Sequence, residues 1–309
     1  MSKRFVKTLL LIWICIAVLL TGILVYAIAY GHPEEKFFRT FTWGGSANMI
    51  QKDEKVSLDN CNKINFDFTS TDIIVQTTND SKLRVIQSSS AKLTDDQKFT
   101  VSKDGDTILV STRERTHIFS FGSWNEKIEI YIPKSYAKDL DIRSSSGNIT
   151  FNSDITINNL TCTLNSGNLH IYKNIDANEV NMKGSSGNID IEGLECSTYE
   201  INTSSGNIGI GSLSGSGEVS ASSGNIKIDY KDIKDYSNIT AHSGNITLTV
   251  PKQISFEFDG ECTSGDIDSN FDLNYKNKKG NKASGKIGDG PYKKINARTT
   301  SGNIRVSSR

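Results

Sequence analysis

The chain has 309 residues, of which 36% are hydrophobic and 23% charged, with only four prolines. That balance describes a folded protein and not a disordered one. Basic and acidic residues number 35 each, and Lys3, Arg4 and Lys7 are the only charges in the first thirty positions, so the remainder holds 32 basic against 35 acidic residues. A near-neutral body has no basic stripe to neutralise phosphates, which removes nucleic acid from the expected partners.

Residues 8–30, TLLLIWICIAVLLTGILVYAIAY, carry no charge. At about 1.5 Å per residue they span a hydrocarbon core of roughly 30 Å, so a transmembrane helix is expected there. Tyr26 and Tyr30 suit the interfacial belt. The positive residues in front place residues 1–7 in the cytoplasm and the body outside. The rival reading is a signal peptide cut near Ala29, after Ala27-Ile28-Ala29, but the apolar run exceeds the usual h-region of about 7–15 residues. Either way the body is exported, and the membrane is a partner through this helix. Residues 31–62 read as a juxtamembrane linker. Within it, Phe37, Phe38, Phe41 and Trp43 suit the lipid headgroup region or the open end of the following domain.

From residue 63 the pattern is that of strands. KINFDFTSTDIIVQ, KLRVIQ, FTVSKDGDTILVST and KIEIYIP alternate apolar and polar residues, and Asp104-Gly105-Asp106 reads as a hairpin turn. Residues 63–136 are therefore expected to form early, irregular turns of a stack that becomes regular further along the chain.

The regular part is a repeat. Ser-Ser-Gly-Asn-Ile stands at 145–149, 185–189, 204–208 and 222–226, with variants centred on Gly167, Gly244, Gly265 and Gly302 and a weak one at Gly285. The glycines from Gly147 onward are 17 to 21 residues apart, a fixed period that means stacked copies of one unit. Two places after each glycine stands Ile149, Leu169, Ile189, Ile208, Ile226, Ile246, Ile267 or Ile304. Five places before stands Ile142, Cys162, Met182, Ile201, Val219 or Ile239. Each unit reads as strand, tight corner, strand and a looser return through Leu194, Leu213 or Ile233. One unit cannot bury its apolar face alone, so the units stack. The expected fold is all-β, a parallel single-chain β-helix or solenoid of about 20-residue turns over 63–309. About twelve turns would reach on the order of 60 Å. Glycine serves a positive φ at the corner. Asparagine after it forms a ladder of stacked amides from Asn148 to Asn303, which Asp266 breaks. Residues 274–294 interrupt the pattern and read as a protruding loop. Residues 302–309 read as the closing edge strand, guarded by Arg305 and Arg309.

Cys15 lies in the apolar run. Cys61, Cys162, Cys196 and Cys262 have irregular spacing and fall partly on inward positions, so mostly free, buried thiols are expected, with disulfides the alternative for an exported body.

TSTDIIV early, YIPKSYAKDLDIRSSSGNI midway, repeated SSGNI and a closing INARTTSGNIRV resemble the DUF4097 family, the bacterial "putative adhesin" proteins, over roughly residues 60–309. The resemblance implies a β-solenoid behind a membrane anchor, in the manner of Gram-positive proteins associated with cell-envelope stress. It implies no catalytic residues.

Calcium at the corners would need stacked carboxylates, and only Asp266 and Asp268 offer them. No Cys/His metal spacing occurs, and no cofactor is expected. His32, His117, His170 and His242 are scattered, and His170 and His242 should face outward. The best contact candidates are Phe119, Phe121 and Trp124, in the aromatic segment 117–124 that breaks the alternation. Their alternative is to cap the first turns of the core. The expected function is a non-catalytic binding or scaffold module of the cell envelope, serving adhesion or envelope stress, with an envelope protein or polysaccharide as partner. A dimer through the open end is the alternative to a monomer. The alternative function is a carbohydrate-active enzyme, a polysaccharide lyase or hydrolase, on a β-helix scaffold, which would need paired carboxylates on neighbouring rungs.

Overall fold

The computed structural model describes residues 49–112, 125–276 and 279–309. The expected membrane helix at 8–30 and the aromatic segment 33–45 lie outside them. Among the described residues no helix is long and apolar enough to cross a membrane. These residues are all-β, and the body is solenoid-like, as the periodicity predicts.

The middle of the stack keeps sequence order. Strands Ile155–Ser166, Leu169–Ser186, Ile189–Ser205, Ile208–Ser223 and Ile226–Ser243 each pair in parallel with the next. The last four each start at the residue two past one corner glycine and end at the serine before the next. Inward residues form columns: Cys162 faces Met182, which faces Ile201, which faces Val219 and then Ile239. All five are buried. β-Branched and unbranched side chains thus fill a narrow core between rungs about 4.8 Å apart.

The corner glycine answers two demands. Gly187 has φ 121°, and a Cβ there would stand 1.9 Å from the carbonyl oxygen of Gly167 on the rung below. Positive φ alone would tolerate asparagine. The stacked carbonyl tolerates no side chain at all.

The asparagine ladder is present. Oδ1 of Asn148 accepts the backbone N–H of Asn168 at 2.9 Å and its Nδ2 at 3.3 Å. The backbone contact recurs at Asn188, Asn207, Asn225, Asn245 and Asn303. Asp72 opens the ladder, where only an acceptor is needed, and takes both donors of Asn148. Asp266 does not break it. Its N–H donates to Asn303 Oδ1 at 3.0 Å and closes the ladder. A second, shorter ladder runs at the return, where Asp154 Oδ1 accepts Asn174 N–H at 2.9 Å and Nδ2 at 3.2 Å. Rungs of 18 to 20 residues are reconciled here, since the register shifts fall after Ile171, Glu195, Ile210 and Gly215 and none falls at a corner.

At both ends, order in space departs from order in sequence. Strand Lys293–Ser301 pairs with Ile226–Ser243 on one side and Phe256–Ser264 on the other. Strand Ile304–Ser308 lies likewise between Ile246–Val250 and Ile267–Ser269. The Gly302 rung is therefore inserted between the Gly244 and Gly265 rungs. At the other end, Lys63–Ser70 lies between Thr107–Ser111 and Asp139–Ser146. Asp72–Thr78 lies between Glu126–Pro133 and Ile149–Phe151. The first rung in sequence is the second in space.

Each outermost rung is then covered by antiparallel strands. Leu83–Ser89 runs against Glu126–Pro133, Met49–Val56 against Leu83–Ser89, and Thr100–Asp104 against Thr107–Ser111 through the expected turn at Gly105. At the far end Lys282–Ile287 runs against Phe256–Ser264, and Asn274–Tyr275 against Lys282–Ile287.

Three expectations are corrected by this topology. Residues 302–309 are not an edge strand, because they are paired on both sides. The segment around Gly285 is not a protruding loop but an antiparallel cover, with Ala283 fully buried. The described residues hold ten stacked rungs rather than twelve: eight with corner glycines, one with its corner at Thr71, and an outermost one seen in the strands Thr107–Ser111 and Glu126–Pro133. The difference lies in residues that the covering strands take up.

Candidate functional site

The four cysteines outside the apolar run are free and buried. Burial pushes the Cys196 thiol up to about 12 and raises Cys162, Cys61 and Cys262 as well. A thiol held protonated is a poor nucleophile. The deepest polar cluster is also interior. Tyr199 donates to Ser237 Oγ at 2.7 Å, and Tyr230 Oη lies 2.6 Å from the same atom. Tyr199 reaches Ser237 across the intervening rung because Gly215 and Gly217 leave its ring room: a Cβ on Gly217 would stand 2.8 Å from ring atom Cδ2. Burial raises both phenols far above their usual range. Enclosed and hydrogen-bonded, they organise the core.

Outside, the contact candidates Phe119, Phe121 and Trp124 lie beyond the described residues, as does His117. The corner carboxylates do not form a metal site. Asp268 pairs with Arg305 at 3.0 Å, and Asp266 ends the asparagine ladder. Among the described residues no group of three or more His, Cys, Asp or Glu is placed to hold a metal. His242 is exposed.

His170 faces outward as expected, but not alone. Its Nδ1 lies 3.4 Å from Asp190 Oδ2 on the next rung. Its ring lies parallel to Tyr172, with centroids 5.8 Å apart and planes 6° from parallel. Tyr172 is 59% exposed. The rungs beyond carry Gly209 and Gly211 at outward positions, and the next carries Lys227 and Asp229. His170, Asp190, Gly209 and Lys227 stand side by side in register on four successive rungs. Tyr172, Glu192, Gly211 and Asp229 lie two residues further along the same strands. The paired glycines open an uncovered groove of about 280 Å³ with backbone as its floor. The Asp190 carboxylate leans over it, 3.2 Å from where a Cβ on Gly209 would stand.

The sequence conceals this groove because its outward positions read together as polar. The signal is nonetheless present: two glycines at places where other rungs carry side chains, beside an outward-facing tyrosine. Chemically, the groove joins an aromatic face, three carboxylates and one ammonium. Asp190 is engaged by His170, while Glu192, Asp229 and Lys227 form no ion pair or side-chain hydrogen bond among the described residues.

The comparisons with known proteins place this architecture. The family model described as Toastrack DUF4097 matches residues 61–307. A "putative adhesin" from Bacteroides fragilis shares the fold at 15% identity and TM-score 0.51, covering 87% of this chain and 100% of its own. Another from Parabacteroides merdae does so at 12% identity and TM-score 0.50, covering 84% and 96%. Identities so low speak for the fold alone. Among curated proteins none matches. With a family model matching residues 61–307, well over half of its length, the chain belongs to the Toastrack DUF4097 family.

Proposed function

We propose that the protein is a non-catalytic binding or scaffold module displayed outside the bacterial cell, anchored by residues 8–30. The observation that carries this reading is the Tyr172 groove: an exposed aromatic and unengaged polar groups, held on a rigid sheet face with no reactive thiol in reach. The names of the related structures, which speak of adhesion, agree with it. The groove offers recognition through rigid placement of its side chains across paired strands. An envelope polysaccharide or protein is the partner class, and adhesion or envelope-stress sensing the setting.

A second reading, a carbohydrate-active enzyme, draws on one observation: the His170–Asp190 pair beside Glu192, a base and carboxylates on adjacent rungs. Incubating the full chain in detergent with a panel of envelope polysaccharides separates the two. Binding without product supports the module, and catalytic turnover overturns it in favour of the enzyme. The topology has its own test. Protease added to intact cells should remove the body while residues 1–7 stay protected, and full protection of the body would contradict the export.

A further inference from the structure

We propose that the groove from Tyr172 to Asp229 binds a neutral or amino-bearing oligosaccharide laid along the stack axis, an inference that rests on the binding-module reading above. Four properties of the groove point to this class of ligand.

The first is the platform. The Tyr172 ring runs parallel to that of His170, and the residue is largely exposed to a ligand. A sugar ring has a face of C–H groups that packs on an aromatic face, while its edge carries the hydroxyls. A tyrosine has only two side-chain torsions to order, so it loses little entropy on binding.

The second is the set of polar groups beside it. Glu192, Asp229 and Lys227 have no side-chain partner among the described residues, so their hydrogen-bonding capacity is available to a ligand. Carboxylates accept from sugar hydroxyls in charge-assisted bonds, the stronger kind.

The third is room and direction. At about 280 Å³ the groove falls just below the ~300–1,000 Å³ usual for enclosed small-ligand sites, as suits an open surface groove. It is open along the axis, and four rungs at about 4.8 Å spacing carry it over roughly 14 Å. A linear ligand would pass Tyr172, Glu192, the Gly211 floor and Asp229 in turn. A compact monosaccharide would meet only one or two of these.

The fourth is charge. Asp190, Glu192 and Asp229 against Lys227 leave the groove net negative. A polyanionic glycan would be repelled, a neutral one accepted, and an ammonium substituent welcomed by the carboxylates and by the tyrosine face.

The test is calorimetric titration of the full chain, in detergent, with three tetrasaccharides: one of N-acetylglucosamine, its deacetylated amino counterpart, and one of galacturonic acid. The first two should bind and the acidic one should not. Tyr172→Ala, at an exposed position, should leave the melting temperature unchanged and weaken binding about tenfold or more. The double change Glu192→Gln with Asp229→Asn should weaken the amino tetramer more than the acetylated one. No binding of either of the first two, or equal binding of the acidic one, overturns the proposal. Binding that survives Tyr172→Ala also overturns it, yet leaves the binding-module reading standing, because the ligand then sits elsewhere. Cleavage of any tetramer sinks that reading itself.

Discussion

The middle of the stack and its two ends solve different problems. From Gly147 to Gly244 every rung has a neighbour on each side, so one phrase can be repeated: glycine under a carbonyl, asparagine in a ladder, isoleucine in a column. An end rung has a free edge, and a bare edge of backbone donors and acceptors invites pairing with another chain. Both ends meet this alike. In each, rung order in space departs from sequence order and antiparallel strands cover the outside: at the N-terminal end the chain lays down the second rung before the outermost one, and at the C-terminal end it lays down the outermost rung before filling the slot inside it. The fillings differ as well. The middle core is mainly aliphatic, with Phe151, Tyr199 and Tyr230 as its buried aromatics, whereas the ends carry Phe66, Phe68 and Phe99 on one side and Phe256, Phe258 and Phe271 on the other. Phe66 and Phe68 stack at 6.0 Å, and Phe256 meets Phe271 edge-on at 5.1 Å. Broad rings fill the space where the regular column stops. At the N-terminal end the buried Gln87 amide adds a polar clamp, donating to Glu126 Oε1 at 2.8 Å and accepting the Phe99 N–H at 2.9 Å.

The largest effect should come from removing the inserted rung. Deleting residues 293–309 empties the slot between the Gly244 and Gly265 rungs and strips cover from Ile246, Leu248 and Phe258. Thermal unfolding should lose its cooperative transition, and a synthetic 293–309 peptide added in trans should restore it. A truncated chain that melts like the full one would break the comparison.

Next come the corner glycines. Gly187→Ala meets both the carbonyl of Gly167 and a φ of 121°, and should cost about 4 kcal/mol or more. Gly105→Ala lies in the hairpin at the covered end, at φ 58° with nothing within 4 Å of the new Cβ, and should cost only about 1–2 kcal/mol of backbone strain. Denaturant titration reads the difference, and equal costs would remove the stacking argument.

A smaller loss is expected at the ladder. Asn207→Ala removes its own bond to Asn188 and the acceptor of two donors from Asn225. Water reaches this exposed position, so about 1–2 kcal/mol is expected. Asp72→Asn, at the ladder's start, should change stability by less than about 0.5 kcal/mol.

The thiols should report the same contrast by rate. All four are buried, and burial keeps them protonated at neutral pH. Alkylation of Cys61 and Cys262, near the ends, should precede that of Cys162 and Cys196, which wait on opening of the middle. The smallest effect is electrostatic. Arg84 holds the Asp53 carboxyl below its ordinary value. The contribution of that pair is fully present above the unfolded carboxylate's pKa and fades as pH falls through the lower folded one. Asp53→Asn should flatten that acid limb slightly, as read by melting temperature against pH.

The corner, the alternation, the return leucines and the asparagine ladder are legible in the sequence, because each depends on residues a few places apart. The order of rungs at the ends is not. Ile304 fits a column above Ile246 as well as one above Ile267, so the repeat tells what a rung is without telling which rung it touches. The weak phrase at Gly285 misleads for a related reason: Ser284-Gly285 mimics a corner, but Lys278 and Gly280 before it offer no inward residues, and the strand there runs the other way. The groove is hidden differently. Its informative residues, Gly209 and Gly211, are side chains missing from a surface that reads as polar throughout.

The inserted rung can be tested by cross-linking. Thr240 and Arg298 are paired neighbours, as are Arg298 and Glu261, so cysteines at either pair stand about 4.8 Å apart, within the usual ~4.4–6.8 Å of a disulfide. Thr240 and Glu261 stand two rungs apart, roughly 9.6 Å, beyond disulfide reach. On mild oxidation the 240/298 and 298/261 double-cysteine variants should each close a bond and the 240/261 variant should not. A rapid 240/261 bond, with 298 linking to neither, would contradict the insertion of the last rung.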